Sequence, residues 1–309
     1  MKIKKLSPIL LFVYNRLLHT TKNIDALKNN KFVSDSDLII YSDYAKDEES
    51  VESVKKVRQY LKSINGFKSV SIVERKKNWG LADSIIDGVT EVVNQYGKVI
   101  VIEDDLITSP YFLKYMNEAL DYYKAKKRVW HVSGWTYPIE SEQLNDTFLW
   151  RLMNCSGGWA TWADRWQYYE KNIDKTIEEF SKKDIVQLNL GGIGNFWDQV
   201  LSNKRGKINT WAIFWYATIF KENGLCLNPS ISFVKNIGFD GSGVHCSGND
   251  SDNIIRLNQN SNIKFESNLS ENKYAVGLVT DYFKQQRKSI FSKVMNKISS
   301  VIIRRKFNQ

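Results

Sequence analysis

Four stretches of this chain share one pattern: a run of branched apolar residues that stops abruptly at polar ones. Ile9–Tyr14 ends in Asn15–Arg16, Leu38–Tyr41 in Ser42–Asp43, Val70–Val73 in Glu74–Arg75, and Val99–Ile102 in Glu103-Asp104-Asp105. Helix-like stretches lie between them, from Thr20 or Thr21 to about Asn29, near Glu48–Ile64, and from about Leu81 to Tyr96. A strand that is apolar at every position has to be covered on both faces. Alternation with helices supplies that cover, so the pattern predicts an α/β fold around a mostly parallel sheet. The polar residues then gather at the carboxyl ends of the strands, where open α/β sheets bind ligands.

The acidic trio constrains the chemistry most. Adjacent carboxylates leaving a buried strand repel one another with little water to screen them, so a counter-charge is expected beside them. They are not needed as helix caps, because Thr108-Ser109-Pro110 already offers a hydroxyl cap and a proline for the next helix. Strand alternation would turn Glu103 and Asp105 one way and Asp104 the other, leaving one acid for a metal and its neighbour for a sugar hydroxyl.

The formal charge of +10 would suit nucleic acid if it were spread along an aromatic-rich face. It is not. Lys284, Arg287, Lys288, Lys293, Lys297, Arg304, Arg305 and Lys306 crowd the last stretch without an acid among them, so nucleic acid is not an expected partner. In the same tail Phe291, Val294, Met295, Ile298, Val301 and Ile302 recur at helical spacing, giving a C-terminal basic amphipathic helix suited to an anionic membrane surface. No apolar run reaches the ~18 residues of a spanning helix. The N-terminus has Asn15 and Arg16 close behind its apolar run and no small-residue cleavage site, so it reads as a first strand and not as a leader. Cys155, Cys226 and Cys246 are odd in number and widely spaced, which suggests neither a disulfide framework nor zinc. These features point to the cytoplasm, with peripheral attachment to the inner face of the cell membrane.

The later half is aromatic, with nine of the ten tryptophans between Trp130 and Trp215. Within it Asp198 stands among Phe196, Trp197 and Val200, where partial desolvation would raise its pKa and suit it to act as a general base. Asp164 is the rival carboxylate, with Arg165 beside it as a partner. The expected organisation is one fold in two halves, 1–107 and 108–280, followed by the basic tail, 281–309.

The ordered set PILLFVYNR, IIYSD, N-x-G-L-A, VIVIEDD, GGWATW, FWDQ and GFDGSGVH resembles nucleotide-sugar glycosyltransferases of the GT-A fold. It is nearest to the bacterial family 2-like sugar transferases and more distantly similar to the mannosyl-glycoprotein N-acetylglucosaminyltransferase family, over about residues 7–246. The resemblance implies a GT-A type Rossmann-like sheet flanked by helices. It implies Asp105 as ligand of Mn²⁺ or Mg²⁺, Asp104 and Glu103 as ribose or donor contacts, and Asp43 as acceptor of a hydrogen bond from uracil. Arg16 would contact base or phosphate, and Asn78 and Gly80 would open the helix beneath the nucleotide. Asp198 matches the family's base, Trp159 (with Trp162 as a second candidate) an indole that stacks on sugar, and His245 a late histidine near metal or diphosphate, with Gly238–Gly243 as a closing loop. The implied activity is metal-dependent, inverting transfer from a nucleotide donor, UDP-sugar foremost, to a glycan or lipid-linked oligosaccharide in bacterial surface polysaccharide synthesis. A nucleotidyltransferase would want a glycine-rich basic loop near the N-terminus, which is missing. A non-catalytic glycan-binding module would not need the acidic trio or Asp198.

Overall fold

The structure, a computed structural model, describes residues 5–139, 141–155, 157–241 and 256–287. In chain order the elements are β1 (Ile9–Val13), α1 (Leu17–Lys28), β2 (Asp37–Ser42), α2 (Glu48–Leu61), β3 (Ser69–Glu74), α3 (Leu81–Tyr96), β4 (Lys98–Glu103), β5 (Leu106–Thr108), α4 (Phe112–Tyr123) and β6 (Val129–Ser133). There follow β7 (Thr147–Trp150), β8 (Trp159–Trp162), α5 (Ala163–Trp166), α6 (Ile173–Glu179), α7 (Lys182–Leu188), α8 (Trp197–Lys204), α9 (Ala212–Lys221), β9 (Leu225–Pro229) and β10 (Val234–Asn236). Residues 273–287 are helical again.

Eight strands form one sheet in the order β3-β2-β1-β4-β8-β6-β9-β7. The four strands read from the sequence lie side by side and parallel, in the order β3-β2-β1-β4. β8 enters antiparallel between β4 and β6, β9 runs parallel to β6, and β7 closes the edge antiparallel to β9. β5 and β10 make a separate antiparallel pair beside the main sheet.

Both faces are covered, which is why β1 and β4 are apolar throughout. Leu10, Phe12, Val99 and Val101 join Ile85, Val89, Val92 and Val93 of α3 in one core. Ile9, Leu11, Val13, Ile100 and Ile102 meet Ile24, Leu27, Val57 and Leu61 of α1 and α2 in the other. β3 lies at the edge, and there half-buried Val70, Ile72 and Val73 stand among exposed residues. α4 begins two residues later than the proline signal suggested. Its N-cap is Tyr111, whose N–H donates to Ser109 Oγ at 3.1 Å, and Thr108 belongs to β5.

The aromatic half forms the rest of the sheet and a core on one side of it. Trp150, Trp159 and Trp215 are fully buried, and Trp159 stacks on Trp211 at 5.0 Å between ring centres. The helix over 273–287 packs on this body, burying Ala275 and Val279 and setting Phe283 5.2 Å from Tyr137. The amphipathic stretch 290–303 lies outside the described residues.

Candidate functional site

Parallel pairing of β1 with β2 and β4 puts three loop entrances at one end of the sheet. Phe12 stands opposite Tyr41 and Glu103, so Arg16, Asp43 and the acidic trio all emerge there. α1 carries a polar face toward the acids at Arg16, His19 and Asn23. These positions, three and four apart, share one side of a helix. Asn23 is fully buried and donates through Nδ2 to Glu103 O at 3.2 Å and Leu106 O at 2.6 Å, so it holds both ends of the acidic turn.

The counter-charge expected beside the trio is Arg16. Its Nη2 donates to Asp104 Oδ1, and to Asp105 Oδ2 at 3.1 Å. Both acids therefore face the same cation, and the alternation expected of an extended strand does not hold. β4 ends at Glu103, and residues 104 and 105 form a turn into β5, which rotates the two side chains together. Asp104 and Asp105 are buried, 3% and 8% exposed. Burial pushes the Asp104 carboxyl up to about 6 in spite of Arg16, whose guanidinium is in turn held above its ordinary value by the acids, against the effect of its own burial. Burial, and then the charges of Asp105 and Asp104, push Glu103 up to about 8.

A raised carboxyl takes up a proton on folding. Its contribution is complete below the unfolded value of 4.5 and is lost as pH climbs through the folded value of about 8. The unfolding midpoint is therefore expected to fall from about pH 5 to about pH 9, and Glu103→Gln to remove most of that fall, as read by thermal melts. A Glu103→Gln profile as steep as the parent's would show that Glu103 stays ionised in the fold.

Asp43 has a different task from the uracil contact expected of it. Its Oδ1 accepts from the N–H of Tyr44 at 2.8 Å and of Trp79 at 2.9 Å, while Oδ2 accepts from Gly80 N at 2.8 Å and Asn78 Nδ2 at 3.1 Å. Four donors use the roughly four lone-pair sites of a carboxylate, so none is left for a base. Asn78 also donates to Tyr44 O at 2.7 Å. Asp43 and Asn78 thus tie the β2–α2 loop to the β3–α3 loop. Gly80 takes φ +74 to start α3, a conformation that favours glycine. Arg75 stacks 4.0 Å from the Trp79 ring and pairs with Asp87 on α3, bracing the same corner.

The opposite wall comes from β10 and the residues after it. Ile237 N donates to Asp105 O at 2.8 Å. A Cβ on Gly238 would stand 2.4 Å from Asp105 Oδ2, so only glycine fits against the acid. His19 is 7% exposed, and its Nε2 lies 3.2 Å from Asp240 Oδ2 and 3.3 Å from Ile237 O, joining α1 to this segment. His245, and the Gly238–Gly243 loop beyond Gly241, lie outside the described residues. The reading from sequence missed His19 and Asn23, and named Gly238 only as the start of a closing loop. The signal was there in the helical spacing of residues 16, 19 and 23.

The second-half candidates fare differently. Asp198 is exposed on the first turn of α8, so the partial desolvation expected of it is absent: Trp197 and Val200 turn inward and leave it in solvent. Trp159 is 1% exposed in β8, between the rings of His131 and Trp211, and cannot reach a sugar from there. Trp162 is 3% exposed and spends its N–H on Leu120 O. Gly157 is small for a packing reason, since a Cβ there would meet Trp135 at 2.1 Å. Asp164 pairs with Arg165 at 2.6 Å and with Lys127.

The turn's donor set suits a hard divalent cation. Carboxylate oxygens are the ligands that Mg²⁺ and Mn²⁺ prefer. Asp104 Oδ2 is buried without a hydrogen-bond partner, and Asp105 stands beside it. Among the described residues no group of three or more His, Cys, Asp or Glu is placed to hold a metal. No helix among those residues is long and apolar enough to cross a membrane.

No family model and no curated protein matches the sequence. Among solved structures, S. aureus TarS 1–349 is similar at 11% identity and a TM-score of 0.42, over 74% of this chain and 59% of that one. The same fragment in complex with UDP-GlcNAc gives 14% and 0.36, over 53% and 46%. The chain thus spans less than two thirds of either TarS structure. The mannosyltransferase PcManGT from Pyrobaculum calidifontis, in complex with GDP-Man and Mn²⁺, gives 9% and 0.38, over 72% of each chain.

Proposed function

We propose that the chain is a glycosyltransferase that takes its sugar from a nucleoside-diphosphate donor, a UDP-sugar foremost. One observation carries this reading: Arg16 and the Asp104–Asp105 pair meet at the carboxyl ends of two adjacent parallel strands, where such sheets bind phosphorylated ligands. In the proposed site Asp104 and Asp105 would hold Mn²⁺ or Mg²⁺. When bound, that ion would neutralise charge on the departing diphosphate. Arg16 would grip phosphate oxygens with its planar fork. The loop knitted by Asp43 and Asn78 would bound the nucleoside, and Glu103 would stay protonated and able to donate to a sugar or ribose oxygen. Asp198, open to solvent on α8, would take the proton from an acceptor hydroxyl in an inverting displacement. The acceptor would be a glycan or lipid-linked oligosaccharide. The basic tail would attach the enzyme to an anionic membrane surface.

The test is a thermal-shift screen of nucleoside-diphosphate sugars on the full chain, with and without Mn²⁺, followed by turnover. A donor at about a hundred times its Kd should add about 2.7 kcal/mol of stability. Failure of every donor to shift the melt or turn over, with either ion, would remove the reading.

A further inference from the structure

We propose that Arg16 changes partners when the donor binds. Without a divalent ion it serves as the counter-cation of Asp104 and Asp105, and metal and diphosphate enter together by moving it from the acids onto the phosphates. The proposal rests on the transfer reading above and adds a rule for how the site fills.

The geometry points to competition for the same oxygens. One guanidinium nitrogen, Nη2, bonds to Asp104 Oδ1 and Asp105 Oδ2 together. A cation bound by these two carboxylates would face a guanidinium that never loses its charge at any working pH. Two positive groups on one pair of acids repel strongly where water is scarce. The acids cannot retreat. Asp105 is fixed through its backbone to Ile237 and packed on Gly238, while Asn23 pins the backbone on both sides of the turn. Arg16 can. Its side chain is the most exposed of the three, 18% against 5% for Asp104 and 11% for Asp105, so it is the member of the cluster with solvent to turn toward.

The exchange also explains the unpaired oxygen. Arg16 satisfies only one oxygen of Asp104 and leaves Oδ2 buried with no partner. An arginine serves that carboxylate incompletely, and an ion able to meet both oxygens would serve it better. Once released, the guanidinium fork finds a matching acceptor in a diphosphate. Metal and nucleotide should therefore help each other to bind, since each removes a cost of admitting the other.

The deciding measurement is Mn²⁺ affinity of the full chain without nucleotide, by electron paramagnetic resonance and calorimetry, for the parent, Arg16→Met, Arg16→Lys and Asp105→Asn. Arg16→Met should bind Mn²⁺ roughly tenfold more tightly than the parent, and Arg16→Lys, which keeps a charge but not the fork, should fall between. Asp105→Asn should lose Mn²⁺. With Mn²⁺ present, Arg16→Met should bind uridine diphosphate more weakly than the parent. Circular dichroism checks that each variant is folded, and if Arg16→Met is not, an affinity for Arg16→Lys above the parent's decides. Mn²⁺ affinity unchanged or lower in the Arg16 variants would overturn the exchange, while uridine diphosphate binding by the parent would leave the transfer reading standing. A parent that binds neither Mn²⁺ nor any nucleotide would end both.

Discussion

Asp105→Asn is expected to lower sugar transfer by roughly 10²- to 10³-fold, the usual cost of removing one group aimed at developing charge. The substitution keeps the shape of the side chain, and the bond from Ile237 N to the backbone oxygen is untouched, so the fold should survive. Asp104 would still hold Arg16. Turnover of the best donor with Mn²⁺, compared between parent and variant, is the check. Retention of activity within about threefold would place the chemistry elsewhere.

Asp43→Ala should produce the largest effect away from the acids. It strands four donors at once, three backbone N–H groups and the Asn78 amide, at a half-buried corner. Bonds to a charged acceptor contribute about 1.5–3 kcal/mol each when well buried, and water will repair part of the loss here. A decrease of about 2–4 kcal/mol in urea unfolding is expected. Function should suffer through the donor, because the freed loop bounds the proposed nucleoside pocket: KM rises more than kcat falls. Asp43→Asn should lie between, since its amide keeps one acceptor oxygen for two of the donors and sets its nitrogen against the other two. Parent-like stability in Asp43→Ala would mean that the loop is held by Arg75 and Trp79 alone.

The parallel half was legible because its physics is local. A strand buried on both faces must be apolar at every position, and a run ended by polar residues marks its carboxyl end, so β1, β2 and β4 could be read one at a time, while edge strand β3 was marked by its polar ending. α3 was bounded correctly at Leu81 and Tyr96; it lies between Gly80 and Gly97, both at positive φ. The antiparallel insertion was not legible. That β8 slips between β4 and β6 depends on pairing between segments far apart in the chain, and WATW looks the same in a strand as in a turn. Trp159 was misjudged for the same reason: an indole reads as ligand-facing or core-facing only once its neighbours are known. The trio's alternation failed because no local signal says that β4 stops at Glu103. The desolvation expected at Asp198 failed in the reverse sense, since Trp197 and Val200 on the helix turn inward and leave the residue between them in solvent.

The pairing of β10 with β5 has a consequence for how the protein is made. The acids leave the ribosome early, but Ile237 and Gly238, which wall them in, come long after, once the whole tryptophan core has been synthesised. A nascent chain that has reached only β9 carries its acidic turn open on one flank. The walled form of the turn is thus completed only when nearly the entire body has been translated.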